Sequence, residues 1–199
     1  SYPRRELEAA VDLARRLGAA HRVVDTHELD DPNYAANPQT RCFFCKAELY
    51  GRLHRMARDE GWGVVVDGTN ADDLGDHRPG RVAARQEGVR SPLVELGLDK
   101  KTVRALARHL DLPVWDKPAM ACLSSRVPHG TSVDAQLLGR IEAAEDLLVD
   151  LGLRQFRVRH HGPVARIEVE AEDMPLLLEQ RDRVVARLRE LGWRHVSLD

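Results

Sequence analysis

The chain has 199 residues, 43% hydrophobic and 31% charged, with 30 basic against 32 acidic side chains and a net charge of −2. That length accommodates one large or two small domains with a genuine core, and the balanced charge excludes a global field selecting nucleic acid or an anionic membrane. No apolar run approaches the roughly 18 residues needed to span a bilayer, and periodic apolar residues argue against disorder. Any anion site must be local. Three cysteines cannot all pair, so a disulfide framework is excluded and a reducing cytoplasmic setting is expected. The start Ser1-Tyr2-Pro3 lacks the basic and apolar segments of a signal peptide, so export is not expected.

In chain order, Leu7, Ala10, Val11, Ala14 and Leu17 recur at helical spacing between Pro3 and Gly18, predicting a helix over 3–17. A short strand is expected over 21–25, centred on Val23 and Val24, followed by a loop carrying Asp-Pro-Asn and Asn-Pro. Phe44, Leu49, Leu53 and Met56 predict a helix over 43–59. Val64-Val65-Val66 reads as a buried parallel strand ending in the polar turn 67–80. A short helix near 80–87, a strand over 91–96 and a helix capped by Asp99 and running through His109 follow. This alternation predicts an α/β fold with a doubly wound, mostly parallel sheet, and the turn after residue 66 lies where such sheets bind ligands.

Pro113, Pro118 and Pro128 punctuate an irregular segment, which places a domain boundary near 117. The expected organisation is 1–117, then a smaller α+β domain over 118–199. In the latter, a helix over 134–150 leads to alternating runs at 156–159 and 165–169 that predict a hairpin, then a long helix over 174–191 and a strand near Val196.

Cys42 and Cys45 form a Cys-x-x-Cys pair, and Cys122 stands far along the chain. Three soft thiolates suit zinc or an iron–sulfur cluster, although buried structural cysteines need no metal. Asp67-Gly68-Thr69-Asn70 can present a carboxylate to Mg²⁺ and backbone groups to a nucleotide, with Arg78 and Arg81 suited to phosphate; a solvated turn has the same composition. Ser124-Ser125-Arg126 can bind an anion or simply cap a helix. Arg157 and Arg159 share a strand face, as do Arg166 and Glu168, which is equally the pattern of a wet hairpin face. His160-His161 is expected as a solvated turn, and Trp62, Trp115 and Trp193 as core or boundary packing.

Taken together and in order, Arg41-Cys-Phe-Phe-Cys-Lys46, Asp67-Gly-Thr-Asn-Ala-Asp-Asp73, Asp76-His-Arg-Pro-Gly80, Ala121-Cys-Leu-Ser-Ser-Arg126 and Phe156-Arg-Val-Arg159 resemble the LarE family of ATP-dependent sulfur transferases. The resemblance covers essentially the whole chain. It implies a PP-loop ATP pyrophosphatase-like domain followed by a sulfur-transferase domain. It also implies sulfur insertion into pyridinium-3,5-biscarboxylic acid mononucleotide, a step in making the nickel-pincer nucleotide cofactor of lactate racemase. The family's Ser-Gly-Gly-x-Asp-Ser phosphate loop precedes the first helix and has no counterpart in residues 1–199, so a fragment of a longer protein is expected.

Where the sacrificial branch of the family carries its donor cysteine, this chain has Ala121, and it resembles the three-cysteine branch instead. That likeness implies a 4Fe-4S cluster on Cys42, Cys45 and Cys122 with one iron left for an exogenous sulfide. It implies ATP and Mg²⁺ as further cofactors, with Asp67, Gly68, Asn70 and Arg78 on the nucleotide side. Ser125, Arg126, Glu145, Arg157, Arg159 and Glu168 would line the mononucleotide site. The expected partners are the pyridinium mononucleotide and a sulfide donor, with neither membrane nor nucleic acid, in a homo-oligomer. A tRNA thiolase of the same superfamily is the alternative enzyme, disfavoured by the net charge of −2, and a non-catalytic metal-binding module is the third reading.

Overall fold

The computed structural model describes residues 1–75 and 79–199. Its helices are α1 (Arg4–Arg16), α2 (Pro32–Ala35), α3 (Arg41–Asp59), α4 (Pro79–Gln86), α5 (Pro92–Glu95), α6 (Lys100–His109) and α7 (Ala135–Asp150). Strands β1 (Phe156–His161) and β2 (Val164–Val169) follow, then α8 (Met174–Glu179), α9 (Arg181–Glu190) and β3 (His195–Leu198). The chain divides into two compact units, Ser1–Asp25 with Pro118–Asp199, and Thr26–Lys117. No helix among the described residues is long and apolar enough to cross a membrane.

In the first unit the sheet order is β1-β2-β3, with β1 and β2 antiparallel and β2 and β3 parallel. Gly162, at φ +59°, supplies the left-handed conformation that the β1–β2 turn requires. Alternation along the hairpin buries Phe156, Val158, Ala165 and Ile167, while Arg157, Arg159, Arg166 and Glu168 take the opposite face. Against the apolar face packs α7, N-capped by the Asp134 carboxylate accepting from Leu137 N at 2.7 Å. Its buried stripe is Leu138, Ile141, Ala144, Glu145 and Leu148, a helical period with one carboxylate in it. Leu177, Val184, Leu188 and Trp193 close the core. α1 is held within this unit: Arg4 N donates to the Glu142 carboxylate, and the Arg5 guanidinium lies 5.7 Å from the Phe156 ring centroid.

The second unit is helical around a small core of Tyr50, Val65 and Ala84, with Leu49, Leu53, Ala57 and Val89 packed on it. Several strands expected over 1–117 do not form. Residues 21–25, at the end of the first unit's N-terminal segment, are irregular, and Val23 is half-exposed. The run 64–66 is reduced to one parallel bridge, Val66 with Arg90, made by Arg90 N to Val65 O at 3.1 Å and Asp67 N to Arg90 O at 2.9 Å. The expected strand over 91–96 is the helix α5, because Pro92 at its first position has its φ fixed for a helix and lacks the N–H a sheet would use. The fold class is therefore mixed α/β. Among the described residues the one multi-stranded sheet is the three-stranded β1-β2-β3 sheet, not a doubly wound parallel one. A further correction concerns the long helix over 174–191, which breaks at Gln180 into α8 and α9.

Candidate functional site

Cys42 and Cys45 stand one turn apart at the start of α3 and so share a face; Cys42 is exposed and Cys45 partly buried. The helix start is anchored by the buried Arg41, which donates to the Asn37 side chain. α4 approaches this turn closely: a Cβ at Gly80 would lie 3.2 Å from the Cys42 carbonyl oxygen and 2.9 Å from Lys46 Cγ. Only glycine allows that approach. Lys46 extends its ammonium over the Tyr50 ring, 5.1 Å from the centroid.

The loop after Val66 is organised by its own side chains. Asp67 accepts from Tyr50 OH at 2.9 Å, Ser91 Oγ at 2.7 Å and Thr69 N at 3.1 Å. Burial pushes the Asp67 carboxyl up, but the hydrogen bonds from Ser91, Thr69 and Tyr50 overrule it and hold it below the ordinary aspartate range. Burial and the same carboxylate push the Tyr50 phenol well above its ordinary value. Asn70 and Asp73 form a reciprocal capping box, with Asn70 Oδ1 accepting from Asp72 N at 3.0 Å and Asp73 Oδ2 from Asn70 N at 3.0 Å. Gly68 has open space where a side chain would stand, which leaves the backbone accessible to a ligand. Arg81 donates to the carbonyls of Asp73 and Leu74 rather than pointing into solvent. Arg78 lies outside the described residues.

In the other unit, Cys122 precedes the 3-10 turn Leu123–Arg126. Its carbonyl accepts from Ser125 Oγ at 2.7 Å and from Ser125 N at 3.0 Å. Arg126 and Glu145 are 1% and 0% exposed and form a two-pronged ion pair, Nε to Oε1 at 2.8 Å and Nη2 to Oε2 at 3.2 Å. Glu145 also accepts from Val158 N at 3.1 Å and Arg5 Nη2 at 3.2 Å.

Arg157, Arg159 and Arg166 surround Glu168 on the open face of the hairpin. Arg159 and Arg166 share Glu168 Oε1, Arg166 at 2.6 Å, and Arg157 Nη1 stands 3.8 Å from Oε2. Arg159 also donates to Ser125 O at 3.2 Å, joining the hairpin to the Cys122 turn. Burial raises the Glu168 carboxyl, and the hydrogen bonds from Arg159 and Arg166 outweigh it, leaving it below the ordinary glutamate value. A shallow cleft of about 100 Å³ opens beside Arg157, Glu168 and Glu170.

Thus Ser125, Arg126, Glu145, Arg159 and Glu168 form one connected hydrogen-bonded set, with Arg157 at its edge. Cys42, Cys45, Asp67, Gly68 and Asn70 belong to the other unit, and none of the three cysteines is in a disulfide. Among the described residues, no group of three His, Cys, Asp or Glu side chains gathers around one metal position. Thiols are donors of the type that soft metals take, and Cys42 and Cys45 present two of them from one helical turn.

Sequence reasoning missed Tyr50, Ser91 and Arg5 as partners of the candidate residues. Glu145 did carry a signal: it lies on the helical stripe between Ile141 and Leu148, where a carboxylate needs a buried cation. His160 departs from the expected solvated turn. Its Nδ1 accepts from the buried Trp193 Nε1 at 3.1 Å, and burial, then the Arg140 cation and His161, lower its pKa.

No family model matches the chain. It is 44% identical over 98% of its length to an uncharacterized protein of Synechocystis sp., covering 73% of that protein. An uncharacterized protein of Methanocaldococcus jannaschii is 28% identical over 82% of the chain and is covered to 64%. The pyridinium-3,5-bisthiocarboxylic acid mononucleotide synthase of Lactiplantibacillus plantarum is 37% identical over 98% of the chain, which covers 70% of it. With that identity along nearly its whole length, the chain belongs to the LarE family.

Proposed function

We propose that the chain serves a cytoplasmic, AMP-forming sulfur transferase that converts a carboxylate of pyridinium-3,5-biscarboxylic acid mononucleotide to a thiocarboxylate for nickel-pincer cofactor synthesis. The observation that carries this reading is the 37% identity, over 98% of the chain, to a synthase whose name specifies the bisthiocarboxylic product. In the proposed reaction a substrate carboxylate oxygen attacks the α-phosphorus of ATP and pyrophosphate leaves; Mg²⁺, when bound, would supply neutralisation of the phosphate charge. Hydrosulfide then adds to the acyl carbon, its proton is lost, and the C–O bond to AMP breaks. No net oxidation occurs.

Residues 26–117 are read as part of a PP-loop-type domain, with Asp67 ordering the nucleotide-side loop, Gly68 leaving room for close approach, and Asn70 capping the following turn. Arg157 and Arg159 offer guanidinium groups to the anionic mononucleotide, Ser125 stands beside Arg159, and Glu168 holds the arginines in place. Cys42, Cys45 and Cys122 are the residues that would hold a 4Fe-4S cluster. Such a cluster would supply a place for exogenous sulfide, so that no cysteine need be consumed.

Two measurements test the reading. Anaerobic purification is expected to give iron and acid-labile sulfide in 4Fe-4S proportion, lost in Cys122→Ser; zinc in place of iron would overturn the cluster. Calorimetric titration with the mononucleotide is expected to show weaker binding in Arg157→Ala and Arg159→Ala, and unchanged affinity in both would overturn the substrate face.

A further inference from the structure

The buried Arg126 has no donor left for a substrate. A guanidinium carries five N–H groups. Nε and one Nη2 proton meet Glu145; Nη2 also stands 3.2 Å from Met120 Sδ. Nη1 reaches Ala121 O at 3.0 Å and Ser125 Oγ at 2.9 Å, with Cys122 O at 3.4 Å. Glu145 is equally saturated, since each of its oxygens accepts two hydrogen bonds: Oε1 from Arg126 and Val158 N, Oε2 from Arg126 and Arg5. A pair that is 1% and 0% exposed with every polar atom engaged is a framework element. What it frames is the backbone on both sides of the Cys122 thiol.

We infer that Arg126 and Glu145, with Arg5 behind them, are positioning residues that fix the backbone at Cys122 and Ser125, rather than groups that touch substrate. Arg5 comes from α1, where it also grips Asp146 at 2.6 Å, and Leu123 N donates to Ser1 O at 3.0 Å. The N-terminal segment therefore braces the cysteine turn from one side while α7 and β1 brace it from the other. The guanidinium is the suitable group here, because one planar fork reaches a carboxylate, a hydroxyl and carbonyls at once, and an ammonium reaches fewer. The inference rests on the proposed function only in taking Cys122 as a thiol whose placement matters.

The test is the rate of iodoacetamide alkylation of each cysteine in reduced, metal-free protein, resolved by peptide mass spectrometry. Thiol reactivity depends on thiolate character and access, so it reports on the local turn. Cys42 and Cys45, on α3 of the other unit, are internal references. Arg126→Gln and Glu145→Gln are expected to speed Cys122 roughly fivefold or more, the scale of a modest local opening, with Cys42 and Cys45 unchanged. Arg126→Lys should fall between Arg126→Gln and wild type. An unchanged Cys122 rate in the folded variants overturns the inference, as does equal acceleration at all three cysteines. If the buried substitutions prevent folding, Arg5→Gln removes one of the four hydrogen bonds to Glu145 and should raise the Cys122 rate by a smaller factor; no rise overturns the inference. A wild-type protein that never binds iron would remove the cluster from the proposed function and leave this ranking to be judged by itself.

Discussion

The two units solve the burial problem differently. The unit of 1–25 and 118–199 buries Ile141, Leu148, Val158, Ala165, Ile167, Leu188 and Trp193 almost completely, on a helix and a sheet that cover each other. The unit of 26–117 buries Tyr34, Tyr50, Val65, Ala83 and Ala84, while Val64, Val66, Leu96, Leu106 and Leu110 stay exposed. Each fully buried aliphatic or aromatic side chain contributes about 1.5–3 kcal/mol of transfer free energy. The first unit thus surrounds its buried ion pair with many large apolar side chains, and the second has a smaller core supplemented by helix caps and polar ties. The candidate residues follow this division: the saturated Arg126–Glu145 pair lies in the dense core, and the exposed Cys42 and the open Gly68 loop lie in the sparse unit.

The largest effect should come from breaking the ion pair inside the dense core. Glu145→Ala leaves Arg126 buried without its carboxylate and is expected to cost about 3–5 kcal/mol in urea denaturation followed by Trp193 fluorescence in a Trp62→Phe, Trp115→Phe background. A loss of only a few tenths of a kcal/mol would mean that water reaches the pair. Leu148→Ala, at a position 0% exposed, should cost about 2–5 kcal/mol through lost burial and a cavity. In the sparse unit, Val65→Ala should cost about 1.5 kcal/mol, following the two methylene equivalents removed. A cost as large as that of Leu148→Ala would erase the contrast between the units.

Smaller still, Tyr50→Phe removes one of the hydrogen bonds to Asp67 and is expected to cost about 1 kcal/mol. The same variant should let the Asp67 carboxyl titrate higher, measurable by NMR, since Tyr50 helps hold it down. The pH dependence sharpens the comparison in the other unit. His160 has a lowered pKa in the folded state, so the unfolded chain binds its proton first as the pH falls. The stability it contributes is complete above the ordinary histidine value of about 6.5 and is lost as the pH drops through the depressed folded value. His160→Gln should flatten that segment of the pH–stability profile for the Trp193 unit and leave the unit of 26–117 unaffected.

Local chemistry made much of this legible in the sequence. Pro and Gly at opposite ends bounded the first helix, Asp99 capped its own, and period-two alternation marked the hairpin with its charged face. These are short-range preferences, set within a few residues by backbone geometry and burial on one face. Strands at 21–25 and 91–96 were misread because a strand is defined by its partner, and a short apolar run alone does not say whether one exists. At 91–96 the proline decided for a helix.

The sequence by itself determined the extents of α1 and α7, the hairpin and, through its ordered motifs, the family. Tertiary structure decided which charges are spent on the protein itself. In the sequence Arg126 and Arg157 are alike, yet one has every donor engaged in a core and the other stands at the edge of a cleft. Likewise α1, read as the opening of the residues 1–117, packs with 118–199 through Arg5, Glu145 and Asp146. Such partners lie more than a hundred positions apart, and their pairing depends on desolvation and fork geometry that exist only once the core has closed.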